Sequence, residues 1–262
     1  MKTAQIRQIR RYYRWFFIGV CLFGLFGLIY KAPIPASEQI LPVVLEEPIQ
    51  TKITKPVFEY VRLGKSFWVE PTHDYEISGV VVSKNHMKSL LDPSYVKYDA
   101  RIQDFCIIWG ENATSGVMED IKVRNSNFTC HYFSPKPAIW EQFNPDQLSN
   151  NHILAENPEE IRTLKRIEIG DQITLKGNLA NYYMDKDLKY LGRKTSTIRT
   201  DDGDGACETF FVDSAEILQR STPLITLLIT IAHRIFFWSV AGFIGLWLLE
   251  CFWEAHHTRR RK

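Results

Sequence analysis

A mostly β exported domain flanked by two transmembrane α-helices is the fold class that the sequence predicts, and three observations predict it. Two long apolar segments lie near the two ends of the 262-residue chain, each flanked by basic residues. Between them, short β-branched and aromatic runs alternate with turn-forming residues. The charge is divided the same way: residues 31–222 hold 22 basic and 28 acidic side chains, net −6, although the whole chain carries +2.

The first apolar segment, "WFFIGVCLFGLFGLIY" at 15–30, follows a basic tail, 1–14, that contains Lys2, Arg7, Arg10, Arg11 and Arg14. Sixteen residues rise about 24 Å as a helix, slightly short of a ~30 Å hydrocarbon core. Tyr12, Tyr13 and Trp15 suit the interface and extend the span, with Arg14 snorkelling. A cleaved signal peptide is the alternative, because "APIPAS" at 32–37 offers small residues for cleavage. The second segment, 235–253, is followed by the basic tail 254–262. Residues 222–234 read as an interfacial segment, with Thr222 as N-cap and Pro223 as first helical residue. Basic flanks stay in the cytoplasm. The expected location is therefore a bacterial inner membrane, with both termini cytoplasmic and the middle of the chain in the periplasm.

Residues 31–56 are proline-rich and aperiodic and read as an extended tether, an edge strand near Ile40–Leu45 being the competing interpretation. The domain proper is expected over 57–221. Strands are predicted at 75–84, 104–110, 125–133, within 167–183 and at 206–218. A short helix opens at Asn157-Pro158, where an amide cap precedes Glu159 and Glu160. The order strand, strand, strand, helix, strand, strand matches an OB-like five-stranded barrel, with Gly170 and Gly177 where a small barrel bends. "CIIWG", "LSNNHIL" and "STIRTDDGDGACET" resemble segments of uncharacterised bacterial membrane-anchored proteins. That resemblance implies an OB-like exported domain and carries no activity with it.

Two stretches offer chemistry. In "RTDDGDGACETFF", 199–211, Asp201, Asp202, Asp204 and Glu208 supply oxygens for an irregular calcium site. An EF-hand spacing fails there, since Thr200 and Phe211 stand where ligands are required. The plain alternative is a solvated turn feeding a strand, with no cofactor. In "LSNNHIL", 148–154, Ser149, Asn150 and Asn151 offer ligand-binding groups and His152 a general base. Arg199 could hold an anion and Asp202 orient the base, which together would define a periplasmic hydrolase. The plain reading is that the two asparagines cap a turn and His152 satisfies backbone groups.

Three cysteines fall in the exported part, with Cys106–Cys130 the favoured disulfide and Cys130–Cys207 its rival. The acidic balance argues against nucleic acid as a ligand. The function expected is that of a binding module, an accessory or assembly protein that contacts another envelope protein or a saccharide. Self-association is left open.

Overall fold

A computed structural model describes residues 3–30, 32–86, 99–126, 128–201, 203 and 205–259. The chain divides into two compact units, Ala32–Ser221 and a helical unit of residues 1–31 with 222–262.

The larger unit is mostly β. Its strands are β1 (Ile49–Lys52), β2 (Phe58–Arg62), β3 (Lys65–His86), β4 (Gln103–Ile108), β5 (Lys122–Ser126), β6 (Thr129–Phe133), β7 (Leu148–Leu154), β8 (Gln172–Tyr183), β9 (Leu191–Arg193) and β10 (Glu208–Gln219). Eight of them form one mixed sheet in the order β1-β3-β4-β7-β10-β8-β9, with β2 on β3, and β5 and β6 make a separate ribbon. This replaces the five strands expected from sequence. The pairings also run in a cycle. β3 pairs β4, β4 pairs β7, β7 pairs β10, β10 pairs β8, and β8 returns to β3. Only β7 and β10 are parallel within that cycle.

A 22-residue strand such as β3 must bend, because sheets twist and flat strands of that length do not pack. Its register shifts between Pro71 and His73 and again between Val81 and Ser83. At Gly79 it passes so close to β4 that a Cβ would lie 2.4 Å from Ile107 Cγ2 and 2.6 Å from the Ile108 carbonyl. One face of the sheet buries Tyr75, Ile77, Phe105, Ile107, Trp109, Ile153, Leu175 and Phe210. Leu164 from a short helix joins that core. The opposite face carries Val80, Val82, Cys106 and Ile108.

Counting α1 (Thr3–Ile29) and a single turn α2 (Glu111–Thr114), that short helix is α3 (Pro158–Arg166). Asn157 caps it, its Oδ1 accepting from the Glu159 amide at 2.8 Å. Glu159 and Glu160 in the first turn and Lys165 and Arg166 in the last complement the helix dipole.

Four sequence expectations change. The stretch 125–133 is a hairpin rather than one strand, with Phe128 at its turn in a left-handed conformation, φ 67°. Residues 148–154 form a strand in the sheet, so Asn150 and Asn151 do not cap a turn. The proposed tether is packed: Val44 is fully buried, and Gln172 bonds both the Leu41 amide and the Gln39 carbonyl at 2.7 Å. The edge strand within it is Ile49–Lys52, whereas Pro42–Leu45 is a 3-10 turn.

In the helical unit, α1 meets α4 (Pro223–Arg259) through a Phe17–Phe236 stack and a 3.3 Å contact between His233 Nε2 and the Gly24 carbonyl. Among the described residues one helical stretch, Pro223–Gly242, is long and apolar enough to cross a membrane. Arg14–Gly27 is apolar but shorter. The two transmembrane helices expected from sequence thus reduce to one, and its window begins at Pro223 rather than at residue 235. Most of the expected span 235–253 has side chains outside the described residues.

Gly79→Ala is expected to lower the stability of the β-domain by about 2 kcal/mol through overpacking against β4. A fall in the denaturation midpoint of the full chain in detergent would show it; an unchanged midpoint would mean β3 and β4 do not approach this closely.

Candidate functional site

Side chains alternate across a strand, so β7 distributes the residues of "LSNNHIL" to two opposite faces. Ser149, Asn151 and Ile153 share one face, with Asn151 Nδ2 donating to Ser149 Oγ at 2.8 Å. Asn150 and His152 share the other, and both meet Phe128 there. Asn150 Nδ2 donates to the Phe128 carbonyl at 3.0 Å, and the His152 ring stands edge-on to the Phe128 ring at 5.6 Å.

The His152 face is a buried ionic cluster. His152 and Asp104 are register partners across β7 and β4, and Nδ1 lies 2.7 Å from Asp104 Oδ1. A carboxylate only accepts, so Nδ1 is the nitrogen that donates to it. Arg101, fully buried, donates to Asp104 Oδ2 at 2.7 Å and to Asp99 Oδ2 at 2.5 Å. Arg62 donates to the Asp99 carbonyl. Phe128 meets two guanidinium groups, 3.6 Å from Arg101 and 4.7 Å from Arg193, ring centroid to Cζ. Cys207 Sγ donates to the Phe128 carbonyl at 3.3 Å. Burial pushes the His152 imidazole below its usual value and outweighs the pull of Asp104 in the other direction.

Arg199 belongs to the opposite face. Its Nη1 lies 3.1 Å from Glu208 Oε1, its Nη2 donates to the Tyr75 hydroxyl at 3.3 Å, and its guanidinium stands 5.1 Å from the Trp109 ring. Trp109 in turn donates to Glu47 Oε2 at 2.9 Å. Glu208 pairs in register with Asn151, whereas Thr209 pairs with His152. Burial raises the Glu208 carboxyl, with Arg199 opposing it.

The structure therefore does not bring His152 and Arg199 together. A hydrolase built on that pair has no shared pocket to work in, because the sheet itself separates the base from the anion holder. Asp202 and Asp204 lie outside the described residues. Asp201 accepts from Ser196 Oγ at 2.5 Å, while Glu208 is committed to Arg199. Among the described residues, no three His, Cys, Asp or Glu side chains gather as a metal site. Cys106 and Cys130 are joined as a disulfide, and Cys207 is a buried free thiol.

Sequence reasoning missed Asp99, Arg101, Asp104 and Phe128 on one face, and Tyr75, Trp109 and Glu47 on the other. One signal was present: "DARIQDF" at 99–105 sets three charges at the entrance of an otherwise apolar strand. Such charges at the start of a buried strand need partners, and here they partner one another. Compared with protein-family models, curated proteins and solved structures, the chain has no significant match.

Two outcomes follow from the cluster's burial. Arg101→Met should cost about 3–5 kcal/mol by leaving two carboxylates uncompensated. Arg199→Met, at a partly exposed ion pair, should cost clearly less in the same denaturation experiment. The second outcome concerns pH. An unfolded imidazole takes up a proton below about pH 6.5, and the folded one, with its pKa lowered, resists it. The contribution of His152 to stability is complete above that value and declines as the pH falls through it. The stability gap between wild type and His152→Asn should therefore be narrower near about pH 5 than near about pH 7.5; an equal gap at both would place a charged imidazole in the fold.

Proposed function

We propose that the chain is a membrane-held accessory protein whose β-domain is an OB-like five-stranded barrel that binds another envelope protein. The cycle β3-β4-β7-β10-β8 supports the barrel, with β7 and β10 parallel and α3 between β7 and β8 in the chain. Membrane attachment is supported by the apolar stretch Pro223–Gly242 and by the basic residues that end the chain. In this reading α1 makes a second pass, both termini lie in the cytoplasm and the β-domain lies in the periplasm of a bacterial cell.

The observation that carries the binding role is the connection from β8 to β10. It projects Tyr190 at 70% exposure and Leu191 at 53%, with Met184 and Ile198 also exposed. Large apolar side chains held in solvent on a connection of this barrel type mark a contact surface. The three non-aromatic members, Met184, Leu191 and Ile198, favour a protein partner over a saccharide. β9 lies at the end of the sheet order and adds backbone groups that another strand can pair with.

The test is photo-crosslinking in the native membrane from position 190 or 191, with position 165 on α3 as control. One adduct of the same mass is expected from both test positions and none from the control, and Tyr190→Asp with Leu191→Asp should abolish it. Absence of any adduct from folded protein would falsify the protein-contact reading.

A further inference from the structure

The ribbon β5–β6 presents a surface of different chemistry. Register pairs Lys122 with Phe133, Arg124 with His131 and Ser126 with Thr129. Residues at alternate positions share a face, so these six side chains lie together, and all six are exposed. The opposite face of the ribbon is the anchored one. There Val123 and Cys130 pack on the apolar cluster around Val80, Val82 and Cys106, and the Cys106–Cys130 disulfide ties the ribbon to β4.

The open face is basic within an acidic domain. Residues 121–140 contain no Asp or Glu, although residues 31–222 carry net −6. Neither Lys122 nor Arg124 has an ion-pair partner among the described residues, whereas Lys136 is neutralised by Asp120 at 2.6 Å. Phe133, beside Lys122, is 62% exposed. Tyr132, the register partner of Val123, belongs instead to the anchored face, where it and Trp140 lean on Phe143 in a shared aromatic group.

We infer that this face of the β5–β6 ribbon docks on a lipid surface bearing anionic headgroups. The charge complementarity comes from Lys122 and Arg124, and the exposed Phe133 beside Lys122 supplies an apolar side chain for the headgroup–acyl boundary. An acidic protein would use the same charges, but it gains little from an exposed Phe beside them unless it offers an apolar socket. The lipid reading uses all three side chains without one. His131 is held by Ser126 at 2.8 Å across the ribbon.

This inference rests on the membrane-held reading, and the two fail separately. Full-length Cys21→Ser, Cys251→Ser, Thr129→Cys protein carries a fluorophore at position 129 and is reconstituted into vesicles with nitroxide-labelled headgroups. Retention after an alkaline wash tests whether the chain is membrane-held. In retained chain, quenching is expected with phosphatidylglycerol present and not with phosphatidylcholine alone. Each basic side chain removed should reduce residence at the surface by about fivefold. Lys122→Gln with Arg124→Gln should therefore remove most of the quenching, as should high salt on the unsubstituted ribbon, which needs no change at positions 122 or 124. Equal quenching in both lipids, no quenching in either, or indifference to charge and salt would each overturn the lipid contact. So would protection of position 129 by a crosslinked protein in native membranes without headgroup quenching.

Discussion

A guanidinium without solvent contact dictates much of the β-domain's design. Arg101 cannot be buried alone, because an unpaired interior charge costs several kcal/mol. Asp99 and Asp104 neutralise it, and Asp104 then has a second oxygen that His152 fills. Arg62 closes on the Asp99 backbone, and Phe128 lies over the guanidinium plane. Five separate segments, 58–62, 99–101, 103–108, 128 and 148–154, are thereby committed to one geometry. Hydrophobic packing alone would tolerate small slips among them; an ionic cluster with fixed hydrogen bonds does not.

The sheet makes this cluster and the Arg199 cluster independent. Backs of the same strands serve both, with His152 and Thr209 on one side and Asn151 and Glu208 on the other. Each side has its own charge balance and its own aromatic neighbours: Phe128 on one, Tyr75 and Trp109 on the other. The two groups that looked like partners in the sequence thus do local structural work on opposite faces, each within its own set of bonds.

How much of this was legible varied with where the stabilising partners lie. Strands β3, β4, β8 and β10 are readable because their own β-branched and aromatic residues supply the burial. β7 is not, since Ser149, Asn150, Asn151 and His152 are polar and become buried only through Asp104 and the Phe128 carbonyl, distant in sequence. The turn between β5 and β6 was hidden for another reason. A Phe in left-handed conformation is not a turn signal, and its ring contacts with Arg101 and Arg193 lie far away in sequence. The packed segment after α1 read as a tether because its anchors, Gln172 and the pocket around Val44, belong to other elements.

The position of β10 has a consequence for the order of events during synthesis. It is inserted between β7 and β8, so until residues 208–219 emerge each of those strands lacks a neighbour on one side. The earlier pairing of β3 with β8 also spans about a hundred residues, a high contact order that slows closure. The missing strand is followed almost at once by the apolar stretch that begins at Pro223. Completion of the sheet therefore waits until β10 itself has been made. During that interval the edges of β7 and β8 are open to mispairing, and a holding chaperone would have its period of action there.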